Sequence, residues 1–206
     1  MAARVVLVTG ASSGLGLAAA DRLHTDGWTV VGASRRATGG NGWTPLRMDV
    51  DDDESVRAGV AEVLARHGRI DAVVAAAGWG LAGAVEHTPI ERAKAQIETN
   101  FWGAVRVTQA ALPAMRAQGS GRLVLVSSIG GVVALPFQAY YSASKFALEG
   151  WAEALAYEVE PFGVEVTLVQ PGNFRTGFTA VRETVGGATG DPYEPRASKV
   201  IEQIDR

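Results

Sequence analysis

Tyr141 and Lys145 are the residues of this 206-residue chain whose types and spacing point most directly to chemistry. They lie in a run from Tyr140 to Tyr157 whose apolar positions Leu148, Trp151, Ala152 and Leu155, continuing to Val159, recur at three- and four-residue steps. That is helical spacing, and on a helix a residue and its fourth successor share one face. A phenol beside an ammonium is a proton donor or acceptor with a means of tuning its pKa, because positive charge favours phenolate. The same spacing also arises on ordinary surface helices, so the pair acquires meaning only from the rest of the chain.

The elements that must position such a pair begin at the N-terminus. Arg4 to Thr9 is a short β-branched run, read as a buried strand. Gly10-Ala-Ser-Ser-Gly-Leu-Gly16 follows, then helical spacing at Leu17, Ala18, Ala20 and Leu23 and a second strand over 28–33. Strand, glycine-rich turn, helix and strand form a βαβ unit with a right-handed crossover. Such a turn lets backbone N–H groups and the helix dipole meet a pyrophosphate. The alternative is a tight connection without a ligand.

Ser34-Arg35-Arg36 closes the second strand. A carboxylate there would take the ribose hydroxyls of NAD. Two guanidinium groups instead suit the 2′-phosphate of NADP through forked, charge-assisted bonds; a solvated basic pair is the competing account. A third strand is expected over 44–50. The acidic run Asp51-Asp-Asp-Glu54 precedes helical spacing at Val56, Val60, Val63 and Leu64, and reads as a cap and first turn in preference to a metal site.

Further strands are expected over 70–78, 121–128 and 163–170, and helices over 90–99, 101–115 and, more briefly, 197–204. Ser127 and Ser128 sit at the carboxyl end of their strand, where open α/β sheets bind ligands. No Gly-x-Ser-x-Gly elbow surrounds them, which argues against a hydrolase. His24, His67 and His87 have neither ligand nor triad spacing and are expected on the surface.

In order along the chain stand Thr9-Gly10-x-x-x-Gly14-x-Gly16, Asp49-Val50, Asn100, Ser128, Tyr141-x-x-x-Lys145, and Pro171-Gly172 with Thr176. Together they resemble the short-chain dehydrogenase/reductase family over nearly the whole length. Leu135-Pro136-Phe137, followed by the stretch from Tyr141 to Gly150, resembles the branch holding hydroxysteroid and retinol dehydrogenases. The resemblance implies an α/β fold: one doubly wound parallel sheet, a Rossmann fold with helices on both faces. It makes 1–206 a single NAD(P)-binding domain.

The resemblance also implies an oxidoreductase moving a hydride between NADP(H) and a carbonyl or secondary alcohol. Tyr141 is then the general acid or base, and Lys145 lowers its pKa and holds the nicotinamide ribose. Ser128 occupies the position of the family's serine and polarises the substrate oxygen. Asn100 distorts its helix and carries a water-linked relay. The cofactor contacts so implied are Gly10, Ser12, Ser13, Gly14, Leu15 and Gly16 in the glycine turn, with Arg35 at the 2′-phosphate. Asp49 and Val50 belong to the adenine, Ala77 and Gly78 to the adenosine, and Pro171, Gly172 and Thr176 to the nicotinamide. The implied reaction needs no metal.

The chain departs from the family pattern in two places. Ala75 and Ala76 stand where relatives carry two asparagines that brace the sheet, and the chain ends at Arg206 before a last strand is visible. An exposed sheet edge is therefore expected, with 177–206 a partial substrate lid, the fold being shortened at the C-terminus. Trp79, Leu81, Leu135, Phe137, Gln138 and Phe178 point to an apolar pocket for a small-molecule carbonyl or alcohol. Trp102 and Trp151 divide between core packing and the helix-face contact of a homo-oligomer, a dimer or tetramer.

A content of 47% hydrophobic and 20% charged residues fits a globular, soluble chain of one domain. A net charge of −3 gives no footprint for nucleic acid or an anionic membrane. Cysteine is absent, which removes disulfides and thiolate chemistry. No apolar run approaches a membrane span or a signal segment, so a cytoplasmic location is expected. The rival from another class is a non-catalytic NADP-binding regulatory or interaction protein. Ala75-Ala76 and the short C-terminus favour that rival; the complete Asn100, Ser128, Tyr141 and Lys145 set opposes it.

Overall fold

The computed structural model describes residues 3–38, 40, 42–172, 182–187 and 189–204. Its first half contains β1 (Val5–Thr9), α1 (Gly14–Thr25), β2 (Thr29–Ser34), β3 (Thr44–Arg47), α2 (Asp53–His67) and β4 (Ala72–Ala75). There follow β5 (Leu81–Gly83), α3 (Ile90–Ile97), α4 (Gly103–Gln118), β6 (Gly121–Val126) and α5 (Ala139–Val159). The last elements are β7 (Val164–Val169), β8 (Glu183–Val185) and α6 (Glu194–Ile204).

Six strands make one sheet in the order β3-β2-β1-β4-β6-β7, and every pairing in it is parallel. The order reverses between β1 and β4, the doubly wound arrangement expected, and the crevice for a ligand opens at the carboxyl ends of those strands. Side-chain alternation along β1 divides the core. Val5 and Leu7 pack with α2 and α4 residues such as Val60, Val107 and Met115, whereas Val6 and Val8 pack toward α1. Burial of Leu7, Leu123, Leu125 and Leu148 is almost complete and contributes roughly 1.5–3 kcal/mol each.

The acidic run caps α2: Asp52 accepts a hydrogen bond from the Ser55 N–H at 2.6 Å, with Asp53 and Glu54 in the first turn. The third strand is shorter than expected. Asp49 leaves the ladder because its N–H is taken by the Ser55 hydroxyl at 2.9 Å. Between the helical segments expected over 90–99 and 101–115, a π-helical turn over Glu98–Trp102 joins α3 to α4 and holds Asn100. Thr9 supplies a brace where asparagines are missing: its buried hydroxyl accepts from the N–H groups of Ala76 and Ala77 at 3.2 and 3.3 Å.

One element was not expected. Leu81–Gly83, read as loop, pairs in parallel with Glu183–Val185 as a two-strand ribbon apart from the main sheet. Among the described residues no strand lies beyond β7, and Val169 on that edge is exposed.

Candidate active site

A cleft of about 1030 Å³ runs across the carboxyl ends of the sheet. That exceeds the roughly 300–1,000 Å³ of a site for one small ligand. Its first wall is the turn from Gly10 to Gly16, with Ser12, Ser13, Gly14 and Leu15 all facing it. Gly10 has φ +68° and lies so close to β4 that a Cβ would come within 2.8 Å of the Ala76 carbonyl oxygen. A Cβ on Gly16 would sit 2.4 Å from the Gly10 carbonyl oxygen. The turn is therefore closed against its neighbours, and its backbone is bare toward the cleft. Ser13 precedes α1 without a side-chain cap, so the first N–H groups of that helix remain open to an anion.

Beyond the turn, Ser34, Arg35 and Arg36 line the cleft at the end of β2, where no carboxylate stands. The Ser34 hydroxyl is buried without a hydrogen-bond partner. Asp49, Val50 and Asp51 face them. Burial pushes the Asp51 carboxyl up from its usual range, against the pull of the Thr99 hydroxyl, which donates to it at 2.9 Å. Ala77 and Gly78 form the floor between this end and the next.

The central part of the cleft is built on α5, whose buried face carries Tyr141, Lys145, Leu148 and Ala152 at helical spacing. Tyr141 shares a side-chain hydrogen bond with Ser128. Ser128 is itself fixed as the cap of a short 3-10 turn, its Oγ accepting from the Gly130 N–H at 3.0 Å. The Ser127 hydroxyl, by contrast, is buried without a partner against Gly131. Of the two serines, the structure brings Ser128 to the phenol.

Lys145 is buried, and its Nζ donates to the Val126 carbonyl at 2.8 Å. Burial lowers its pKa to about 8, with Glu149 pulling the other way. Burial also raises the Tyr141 pKa, and the Ser128 bond opposes that rise. In this geometry the Lys145 ammonium donates to a main-chain carbonyl, and desolvation is the largest influence on the phenol.

Asn100 is buried in the π-helical turn. Its Oδ1 accepts from the Trp79 N–H at 3.0 Å, and its Nδ2 donates to the Trp79 carbonyl at 3.0 Å and to the Ser144 hydroxyl at 3.2 Å. Ser144 in turn donates to the Tyr141 carbonyl at 2.7 Å. Both amide hydrogens are thus committed, and Asn100 ties the floor of the cleft to the helix that carries the phenol.

At the far end Trp79, Leu135 and Gln138 line the cleft, as do Pro171 and Gly172. Leu81 is buried in β5, and Phe137 does not line the cleft. Thr176 and Phe178 lie outside the described residues. Charged groups that the sequence did not single out also face this end: Arg92, Arg182 and Glu183. Arg92 pairs with Glu183 and stacks over the Trp79 ring at 5.1 Å. No local pattern announces a pair 91 residues apart.

Comparison with known proteins bears on this arrangement. The family model described as short chain dehydrogenase matches residues 4–185. The chain belongs to the short-chain dehydrogenase family. A 3-ketodihydrosphingosine reductase of Bacteroides thetaiotaomicron is 43% identical, the match covering 100% of this chain and 78% of the relative. The 17-beta-hydroxysteroid dehydrogenase type 1 of Homo sapiens is 40% identical over 86% of this chain, which spans only 59% of that enzyme's length. A solved short-chain dehydrogenase from Streptomyces avermitilis superposes with a TM-score of 0.91 at 37% identity, covering 99% of this chain and 78% of that one.

This short-chain dehydrogenase thus falls among nicotinamide-binding oxidoreductases and beside the hydroxysteroid branch that its tyrosine helix resembles. Among its described residues no helix is long and apolar enough to cross a membrane.

Proposed function

We propose that this chain is an NADP-dependent oxidoreductase that interconverts a ketone and a secondary alcohol, working as a reductase near neutral pH. One observation carries the reading: a buried phenol hydrogen-bonded to a capped serine shares a cleft with a buried ammonium and an open phosphate-binding turn. The turn, the uncapped start of α1 and the floor at Gly78 fit a dinucleotide. At Gly78 even a Cβ would come within 3.0 Å of Asn100 Oδ1. The unpaired Ser34 hydroxyl beside Arg35 and Arg36 supports a 2′-phosphate there, and hence NADP.

When bound, the nicotinamide supplies or accepts the hydride. Ser128 donates a hydrogen bond to the substrate oxygen and stabilises negative charge developing on it. Tyr141, protonated because burial raises its pKa, delivers the proton to that oxygen in reduction. Lys145 holds the ribose, and its positive charge eases the loss of that proton once its Nζ turns from the Val126 carbonyl. Asn100 keeps Trp79 and α5 in register and anchors the water relay. Asp49, Val50 and Ala77 seat the adenosine, while Pro171, Gly172 and Thr176 flank the nicotinamide.

The names of the two relatives supply the reactive group, a keto function reduced in one and a steroid hydroxyl oxidised in the other; the substrate proposed here is a ketone on a largely apolar skeleton. The 177–206 segment serves as part of the lid, because Arg182 and Glu183 reach the cleft mouth. Self-association through the surface of α5 and the π-helical turn before α4 is supported by Phe146, Tyr157 and Trp102, all exposed.

The test is to follow NADPH absorbance with the purified chain and a panel of aliphatic, cyclic and steroidal ketones. Oxidation of NADPH by at least one ketone, with NADH clearly poorer, is the expected result. Tight NADPH binding without turnover across the panel would instead make the chain a binding protein.

A further inference from the structure

Gln138 lines the cleft immediately before α5, and its side chain has no task in the fold. Only 3% of the residue is exposed. Its backbone is fully used: the N–H donates to the Leu135 carbonyl at 3.1 Å and the carbonyl accepts from the Ser142 N–H at 2.9 Å. Its amide nitrogen, however, is buried with no acceptor. An orphaned buried donor is costly, and proteins rarely leave one without a reason.

The backbone beside it is also strained. Phe137 adopts φ +59°, unusual for a bulky residue, and its carbonyl accepts from the Gly83 N–H of β5 at 2.8 Å. Strain of this kind persists where surrounding structure enforces it, and it gathers at ligand-binding sites. Here the β5–β8 ribbon holds the segment that presents Gln138. Gln138 stands three residues before Tyr141, at the N-cap of α5, and both line the same cleft.

We propose that Gln138 is a specificity-determining residue whose amide donates a hydrogen bond to a second polar group of the substrate. This rests on the reading of Tyr141 and Ser128 as the groups that receive the reacting oxygen. An amide donor and a phenol lining one cleft suit a substrate with two polar groups: a ketone bearing an oxygen or nitrogen acceptor two or three bonds from the reacting carbon, such as a β-keto ester or β-hydroxy ketone. The remaining skeleton extends past Trp79 and Leu135. A plain ketone of equal length leaves the amide unpaired and gains nothing from it, and a site built around a hydrogen bond discriminates strongly against the analogue lacking it.

The experiment compares ethyl 3-oxohexanoate with nonan-4-one, chains of equal length, in NADPH-dependent reduction by the 206-residue protein and its Gln138→Leu variant. The ester is expected to have the higher kcat/KM by at least about tenfold, and the variant to collapse that ratio toward one. A structural role would lower both rates together and leave the ratio intact. An equal ratio in the two proteins overturns the proposal while the Tyr141 reading stands.

A second arm does not depend on turnover. Binding of ethyl 3-hydroxyhexanoate and nonan-4-ol to the NADP complex is measured by calorimetry, with and without Gln138→Leu. Ester-selective binding that disappears in the variant supports Gln138 even if neither ketone is reduced, in which case the catalytic reading alone fails. Binding that is unselective in the unaltered protein, or a selectivity that the variant keeps, overturns it.

Discussion

The two ends of the cleft, one proposed to hold the cofactor phosphates and the other the substrate, are built on opposite terms. The phosphate end is backbone: Gly10 and Gly16 press against main-chain atoms that have nowhere to move. The substrate end is side chains and crossings of distant segments. A strained Phe137, the β5–β8 ribbon and the exposed Arg92–Glu183 pair assemble it from residues up to a hundred positions apart. The first kind of wall accepts one geometry for one ligand type. The second rests on exposed and side-chain contacts, which suits the proposed substrate end.

The largest effect is expected where the two ends meet. Tyr141→Phe should lower kcat for ketone reduction by about 10²–10⁴-fold, the usual worth of a general acid, while NADPH affinity by fluorescence titration changes little. Wild-type turnover in that variant would remove the phenol from the mechanism.

Next comes the intolerance of the phosphate end. Gly16→Ala forces a Cβ to 2.4 Å from a carbonyl oxygen; overpacking of this kind costs about 1–3 kcal/mol and should abolish NADPH binding. Gly150 on α5 is the control, since a Cβ there meets nothing within 4 Å. Gly150→Ala should raise urea stability by about 0.5–1 kcal/mol, the helix penalty of glycine. Similar behaviour of the two variants would erase the claimed rigidity.

Arg35→Asp should shift the NADPH-to-NADH affinity ratio by about tenfold or more, the scale of one charge-assisted bond. An unaltered ratio would place the 2′-phosphate elsewhere.

Lys145→Met tests the burial of charge between the two ends. The folded pKa of about 8 lies below the ordinary 10.5, so the unfolded chain binds more protons between those values and stability rises with pH through that window. The shift corresponds to a penalty on the order of 3 kcal/mol below pH 8, offset by about 1 kcal/mol for the Val126 bond. The variant should therefore be inactive yet more stable at pH 7, by roughly 1–2 kcal/mol, and lack the alkaline rise. A less stable variant would show that the ammonium supports the fold.

The smallest effect belongs to the substrate-end latch. Arg92 and Glu183 are exposed, and such pairs contribute about 0–1 kcal/mol. Glu183→Gln should leave the unfolding midpoint within a few degrees and alter KM for the ketone only several-fold. A large loss of stability would make the ribbon part of the core.

The same division explains what could be read in advance. The glycine turn, the Asp52 cap, and the Tyr141 and Lys145 positions follow from residues within a few turns of one another, and the structure brings them where their spacing implies. The Leu81–Gly83 strand was hidden because three residues carry no alternation and its partner lies at Glu183–Val185. Asn100 and Trp79 were each singled out, but their contact, and that of Asn100 with Ser144, was not legible, since these residues meet only through folding. The burial that raises the Tyr141 pKa was not legible for a related reason: neighbours in sequence show charge, and burial shows only in three dimensions.

By itself the sequence determined a βαβ unit, a glycine-rich turn and a phenol–ammonium spacing on one helix face, because hydrophobic period, glycine freedom and helical geometry are local; the doubly wound sheet was implied by the family resemblance. Tertiary structure fixed the hydrogen bond between the phenol and Ser128, the serine that the family position already favoured over Ser127. It also decided that Lys145 is desolvated against a main-chain carbonyl and that Gln138 is left with an unpaired amide. Those outcomes turn on which atoms lose water and which find partners, and both are set by packing between segments far apart in the chain.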